Sequence, residues 1–238
     1  MNSTLKIFTM LLGATLLLNV TMNYMGDNVD DFGNKPLPPI RHKSFKTNNP
    51  VLKVNAQSKE KWTLVDFSTQ KTFEISDPER ERELMNQQNW DLGFQRTKII
   101  SNGGVTNPQG KVAIANLGPV DFNSVTRIPE VTFVPDTRSW GNVNNPSIID
   151  WYLYRTRTHN IESKRNVYIV QTGDGHLKLR ILNYYCQRPE SDCKTSMCSR
   201  DEAACLTVEY FHIPPGEQAF PASKPPAPTL QQTAQAAP

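Results

Sequence analysis

Cysteine is missing from the first 185 residues of this 238-residue chain, and histidine occurs only four times in all of it. No glycine-rich phosphate loop, no Gly-x-Ser-x-Gly elbow and no His-Glu-x-x-His pair is present. "SNGG" (residues 101–104) has no helix pattern after it and so is not a phosphate cradle. Phosphoryl transfer, serine hydrolysis and zinc-peptidase chemistry therefore lack their usual reactive groups. Charge of one sign is scarce as well: 26 basic and 23 acidic residues are interspersed, for a net charge of +3. With no long basic stripe, nucleic acid is not expected as a partner. No internal repeat is seen.

Long apolar runs are also rare. Nineteen uncharged residues, Ile7 to Met25, follow Lys6 and precede Asp27, Asp30 and Asp31. A cation before and acids after orient such a segment with its start in the cytoplasm. No small-x-small cleavage site closes it. The sequence therefore predicts a single N-terminal hydrophobic helix tethering the chain to the inner membrane by residues 7–25, with a removed signal peptide as the alternative. In both cases the body lies outside the cytoplasm, in the periplasm or beyond. The expected order is a signal-anchor or signal peptide (1–26), a proline-rich spacer (27–58), a β domain (59–214) and a disordered tail (215–238).

The four cysteines crowd into twenty residues, Cys186, Cys193, Cys198 and Cys205. In an exported chain an even count reads as disulfides. Their symmetric spacing suggests nesting, Cys186 with Cys205 and Cys193 with Cys198. Zinc is the alternative, although no Cys-x-x-Cys pair is present.

Between spacer and tail the pattern is mostly period two. Trp62 to Ile75 reads as a hairpin turning near Thr69-Gln70-Lys71, and "SDPERERELMNQQ" as one short helix capped by Ser76 or Asp77. Trp90, Leu92 and Phe94 share one parity of a strand that is expected to run to the Asn102-Gly103-Gly104 turn. Asp91 is expected to tie down backbone amides and Arg96 to lie over an aromatic ring. Lys111 to Leu117 and Glu130 to Val134 read as further strands. In "NVYIVQTGDGHLKLRILNYY", Asp174-Gly175 marks a hairpin turn. Leu177, Leu179 and Ile181 then share a face opposite Lys178 and Arg180, and Leu206, Val208 and Tyr210 share another. The fold class is all-β and sandwich-like, with one short helix.

The blocks "KWTLVDFSTQKTFEI", "WDLGFQRTKIISNGG", "WYLYRTRTHNIESKRNVYIVQTGDGHLKLRILNYY" and "LTVEYFHI" together resemble the HmuY family of bacterial haem-binding proteins, over roughly residues 61–213. The resemblance implies an extracytoplasmic all-β protein, not an enzyme, that takes haem b non-covalently and passes it to an outer-membrane receptor. It makes Trp90, Asp91, Phe94 and Arg96 framework residues. Family members hold iron between loops through paired axial histidines or methionines, yet Pro135 to Asp150 contains neither. The chain also has no Cys-x-x-Cys-His motif for covalent haem and no lipid-accepting cysteine near its start. His159, behind the aromatic run Trp151-Tyr152-Leu153-Tyr154, is the leading candidate ligand, ahead of His176, His212, Met85 and Met197. His42 falls in the basic spacer and His176 is expected to be exposed. A different expectation is an interaction or structural subunit of a membrane or envelope complex, built on the same fold without haem.

Overall fold

The computed structural model describes residues 3–28, 47–156, 158–185 and 198–221. After helix α1 (Ser3–Asn28) come β1 (Val51–Asn55), β2 (Trp62–Asp66), β3 (Lys71–Ile75), α2 (Arg82–Asn86), β4 (Leu92–Gln95), β5 (Lys98–Ser101) and β6 (Ala113–Gly118). Two small hairpins follow, β7 (Thr137–Ser139) with β8 (Asn142–Asn144) and β9 (Tyr152–Arg155) with β10 (Asn160–Ser163). The long strands β11 (Val167–Thr172), β12 (Gly175–Tyr185) and β13 (Ala203–Ile213) complete the set. One antiparallel sheet has the order β1-β13-β12-β11-β6 and a second the order β3-β2-β4-β5.

The two sheets enclose the main core, to which one brings Val65, Phe67, Leu92 and Phe94 and the other Tyr168, Val170, Leu179 and Val208. Successive strand residues point to opposite faces, and here the outer faces are covered too. Leu64, Ile75, Trp90 and Ile100 gather with Met85 of α2 outside the smaller sheet. Ile169, Ile213 and Phe220 do the same outside the larger one. The expected polar face of β12 is consequently not solvent. Lys178 is only 1% exposed; its Nζ donates to the carbonyls of Phe122 and Val125 and sits 4.4–5.3 Å from the rings of Phe122, Phe211 and Phe220. Burial draws that ammonium down to about 8, against the pull of Glu209 and Asp121.

Several sequence expectations change. The 89–104 stretch is two strands, and the chain reverses at Arg96-Thr97, with Arg96 at φ 55°, before Asn102 is reached. The glycines after it serve close approach: a Cβ on Gly103 would lie 2.1 Å from the Val112 carbonyl oxygen, and one on Gly104 2.2 Å from that of Asp136. Asp136 fixes the same loop by accepting from Ser101, Thr106 and Asn145. Only Val134 of the expected 130–134 strand pairs, in a single bridge to Ile114. Helix α2 starts at Arg82, with Glu81 and not Ser76 or Asp77 before its first turn.

The boundaries move outward as well. β1 lies inside the expected spacer, where Val51 to Asn55 pair with Glu209 to Cys205. Phe220 lies inside the expected tail, yet it is buried and its amide donates to the Thr126 carbonyl. As for the expected membrane anchor, α1 forms, but among the described residues no helix is long and apolar enough to cross a membrane. Thr15, Asn19 and Thr21 interrupt its apolar stretch and turn their side chains back onto helix carbonyls.

Candidate functional site

The β9–β10 hairpin carries His159 in its turn, at φ 56°. A non-glycine residue in the left-handed region is strained, so the surroundings must hold it there. Three contacts do so. Arg155 and Glu162 form a buried ion pair across the two strands. Asn160 Oδ1 accepts the Cys198 amide at 2.7 Å, and the Ile161 amide donates to the Tyr185 hydroxyl at 2.9 Å. The hairpin is thereby fastened to β12 and to the end of the cysteine segment.

β12 prepares its own contribution by breaking register. The pairing with β13 shifts between Ile181 and Asn183 and again before Tyr185. Asn183 absorbs the irregularity, accepting the Tyr185 amide and donating to the Tyr185 carbonyl. Strict alternation would send Tyr184 and Tyr185 to opposite faces; past the bulge both join the main core, with rings 5.2 Å apart at 88°. Trp151 packs against Tyr184 at 6.0 Å and donates Nε1–H to the Thr97 carbonyl.

Together these elements line a cleft of about 570 Å³ containing Tyr154, His159, Tyr184 and Tyr185 with Lys59, Arg96 and Arg200. No carboxylate lines it. Burial raises the Tyr184 phenol, while the nearby Arg96 charge draws it down. Arg96 also donates to the Gln57 carbonyl, 3.3 Å away. At the mouth, the Tyr154 hydroxyl lies 2.5 Å from His159 Nδ1. Planar aromatic walls, an imidazole and three cations suit a flat anionic ligand that carries a metal.

A second groove of about 640 Å³ lies on the other side of Thr97, lined by Trp62, Trp140 and Tyr152. It is the larger, but no imidazole or thioether is among its lining residues. Trp140 is 98% exposed at φ 50° in the β7–β8 turn.

Of the other candidate ligands, Met85 is fully buried beneath α2, closed off in a packed apolar cluster. His176 is half-buried beside the Phe133 ring, contrary to the exposure expected of it, and burial lowers its pKa. His212, also half-buried, bonds Asp174 at 3.1 Å. Neither lines the cleft. Cys198 and Cys205 are disulfide-bonded, which for these two displaces the zinc alternative. Cys186, Cys193, Met197 and His42 lie outside the described residues. Among the described residues no group of three His, Cys, Asp or Glu side chains is placed to hold a metal ion.

Two framework expectations change: Trp90 does not share the face of Leu92 and Phe94, and the described contact of the Arg96 guanidinium is with the Gln57 carbonyl instead of an aromatic ring face. Trp90 and Phe94 are buried on opposite sides of the smaller sheet. Asp91 Oδ2 accepts the Phe67 amide at 2.9 Å. Burial pushes its carboxyl up to about 7, partly offset by that amide. Tyr154 belongs to the aromatic run that the sequence places before His159, whereas Tyr184, Tyr185, Lys59 and Arg200 do not stand out in the sequence as cleft residues. The only signal is the Tyr-Tyr ending of the Asp-Gly hairpin, whose paired orientation depends on the bulge.

A family model described as "HmuY protein" matches residues 58–196, more than half of the chain. Among solved structures, the apo HmuY analogue of Tannerella forsythia is similar with a TM-score of 0.50 at 15% identity, covering 73% of this chain and 96% of that one. A Bacteroides vulgatus protein described as a putative HmuY-like haem-binding protein gives 0.49 at 18% identity, covering 69% and 91%. No curated protein matches the chain. At 15% identity the likeness to the Tannerella forsythia structure speaks to the fold alone.

Proposed function

The chain belongs to the HmuY family, and from that premise we propose that it binds haem or a related tetrapyrrole outside the cytoplasm, as a carrier and not as an enzyme. The observation that carries the reading is the cleft: an imidazole, three phenols and three cations converge there, with no carboxylate among the lining residues. His159 is the nitrogen donor to iron in this proposal, through Nε2, because Nδ1 is engaged by Tyr154. Of Tyr184 and Tyr185, whose rings stand at 88°, one supplies a flat wall and the other an edge, and Lys59 and Arg200 are the cations for the ligand's carboxylates. Haem itself would supply the iron and the ring; the protein supplies orientation and charge. A haem donor or an outer-membrane receptor is the partner implied.

Titrating the full chain with haemin tests this. The expected result is a saturable Soret shift that His159→Ala bleaches or moves while the circular dichroism of the β domain stays unchanged. No haemin uptake by the parent chain would defeat it. The same experiment addresses a second reading, an interaction subunit of an envelope complex without haem, for which the groove lined by Trp62, Trp140 and Tyr152 offers a surface.

A further inference from the structure

We infer that Tyr154 is a positioning residue for His159, selecting which imidazole nitrogen faces the ligand. This rests on the tetrapyrrole reading of the cleft and assigns a role to a residue that touches no iron in that reading. A histidine ligand is generally oriented through its other ring nitrogen, which donates to a carboxylate, a carbonyl or water and so sets tautomer and ring plane. In this cleft no carboxylate is available among the lining residues. The atom beside Nδ1 is the phenol oxygen of Tyr154, 2.5 Å away, with the two rings 6.0 Å apart and inclined by 48°.

The placement is not an accident of neighbouring in sequence. Tyr154 pairs with Ile161, and Arg155 with Asn160, so that the turn between them brings His159 back over the strand it left. The left-handed backbone at His159 aims the ring toward the Tyr154 side of the hairpin. Asn160, bonded to the Cys198 amide, prevents the turn from relaxing. A phenol can donate to Nδ1 or accept from it; in this inference it accepts, so that Nδ1 keeps the proton and the Nε2 lone pair is left for a metal. Without it, an exposed imidazole is free to rotate and to exchange tautomers.

Tyr154→Phe removes the oxygen and keeps the ring, so a purely structural role for the side chain is preserved. In the full chain we expect this variant to bind ferric haemin about 10- to 100-fold more weakly, with an altered Soret band. In the ligand-free chain, nitrogen-15 NMR should find His159 predominantly in the Nδ1–H form in the parent and redistributed toward Nε2–H in Tyr154→Phe. Unchanged affinity, band and tautomer in the variant would overturn the inference while leaving haem binding intact. Complete loss of haemin uptake in Tyr154→Phe, with His159→Ala still binding, would overturn it in favour of the phenol oxygen as the iron donor. No uptake by the parent would remove both this inference and the reading beneath it.

Discussion

Two hairpins of this protein turn on the same device and use it differently. β4–β5 reverses at Arg96, φ 55°, and β9–β10 at His159, φ 56°; both are non-glycine residues in the left-handed region, and both line the same cleft. The first hairpin sits within a sheet, is apolar on both faces, and meets its polar demands with backbone partners: Asp91 takes the Phe67 amide and the Arg96 amide donates to the Ala56 carbonyl. The second is a two-stranded outrigger whose buried charge is an ion pair and whose tip is exposed. A framework hairpin and a site hairpin thus differ less in local geometry than in what stands behind them.

The largest effect should come from breaking the framework side. Phe94→Ala empties a fully enclosed position between the sheets and is expected to cost about 3–5 kcal/mol in chemical denaturation. An equal loss from the exposed Tyr154→Ala would contradict the contrast between the two hairpins.

Asp91 sharpens the comparison through pH. Its carboxyl is near 7 when folded and near 3.8 otherwise, so the folded state holds a proton that the unfolded state releases between these values. The stability contributed by the protonated acid is complete below about 4 and is lost as pH rises to about 7. Asp91→Asn keeps an acceptor for the Phe67 amide without titrating. Its stability relative to the parent should therefore rise across that window, on the order of 4 kcal/mol. A flat difference between pH 4 and 8 would show that the carboxylate is better solvated than its burial implies.

On the site side, the cysteine segment is expected to matter comparably. A non-reduced digest should link Cys186 with Cys205 and Cys193 with Cys198. Closing a loop of about twenty residues contributes roughly 3 kcal/mol in the chain-entropy picture, and reduction should loosen the β9–β10 hairpin through the Asn160–Cys198 bond. Recovery of four free thiols would refute the pairing.

The smallest effect is the most telling. His159→Gly relieves the left-handed strain and should leave stability unchanged or raise it by up to about 1 kcal/mol, while abolishing the haemin-dependent Soret shift. A clear loss of stability would make His159 a framework residue after all.

The sequence makes the framework easier to see than the site, for physical reasons. The hairpin into β12 forms, but its turn is Gly173-Asp174, one residue earlier than expected, and Gly175 already pairs with Thr172; Gly175 has φ 148°, and a Cβ there would meet the Ile213 carbonyl oxygen at 2.0 Å. Leu177, Leu179 and Ile181 fall on the main core as their parity requires. The Arg96-Thr97 reversal is hidden because it uses no glycine, proline or asparagine, so the glycines that follow draw the turn to themselves. Lys178 reads as a surface residue until its aromatic enclosure is assembled from Phe122, Phe211 and Phe220, far apart in sequence. His159 is visible as a histidine after aromatic residues, but the cations and phenols around it come from separate stretches of chain. No periodicity encodes such a meeting.

The bulge in β12 has a consequence for what a deletion would do to this protein. Tyr184 and Tyr185 face the same way only because one extra residue, Asn183, interrupts the alternation. Deleting Asn183 would leave every wall residue in place by identity and yet swing one of the two rings out of the cleft. Replacing Asn183 would, by contrast, keep the residue count and act through its hydrogen bonds, those with Tyr185 among them. The shape of the cleft thus depends on a count of residues as well as on their kinds: a one-residue deletion at the bulge would alter it while every named wall residue survives.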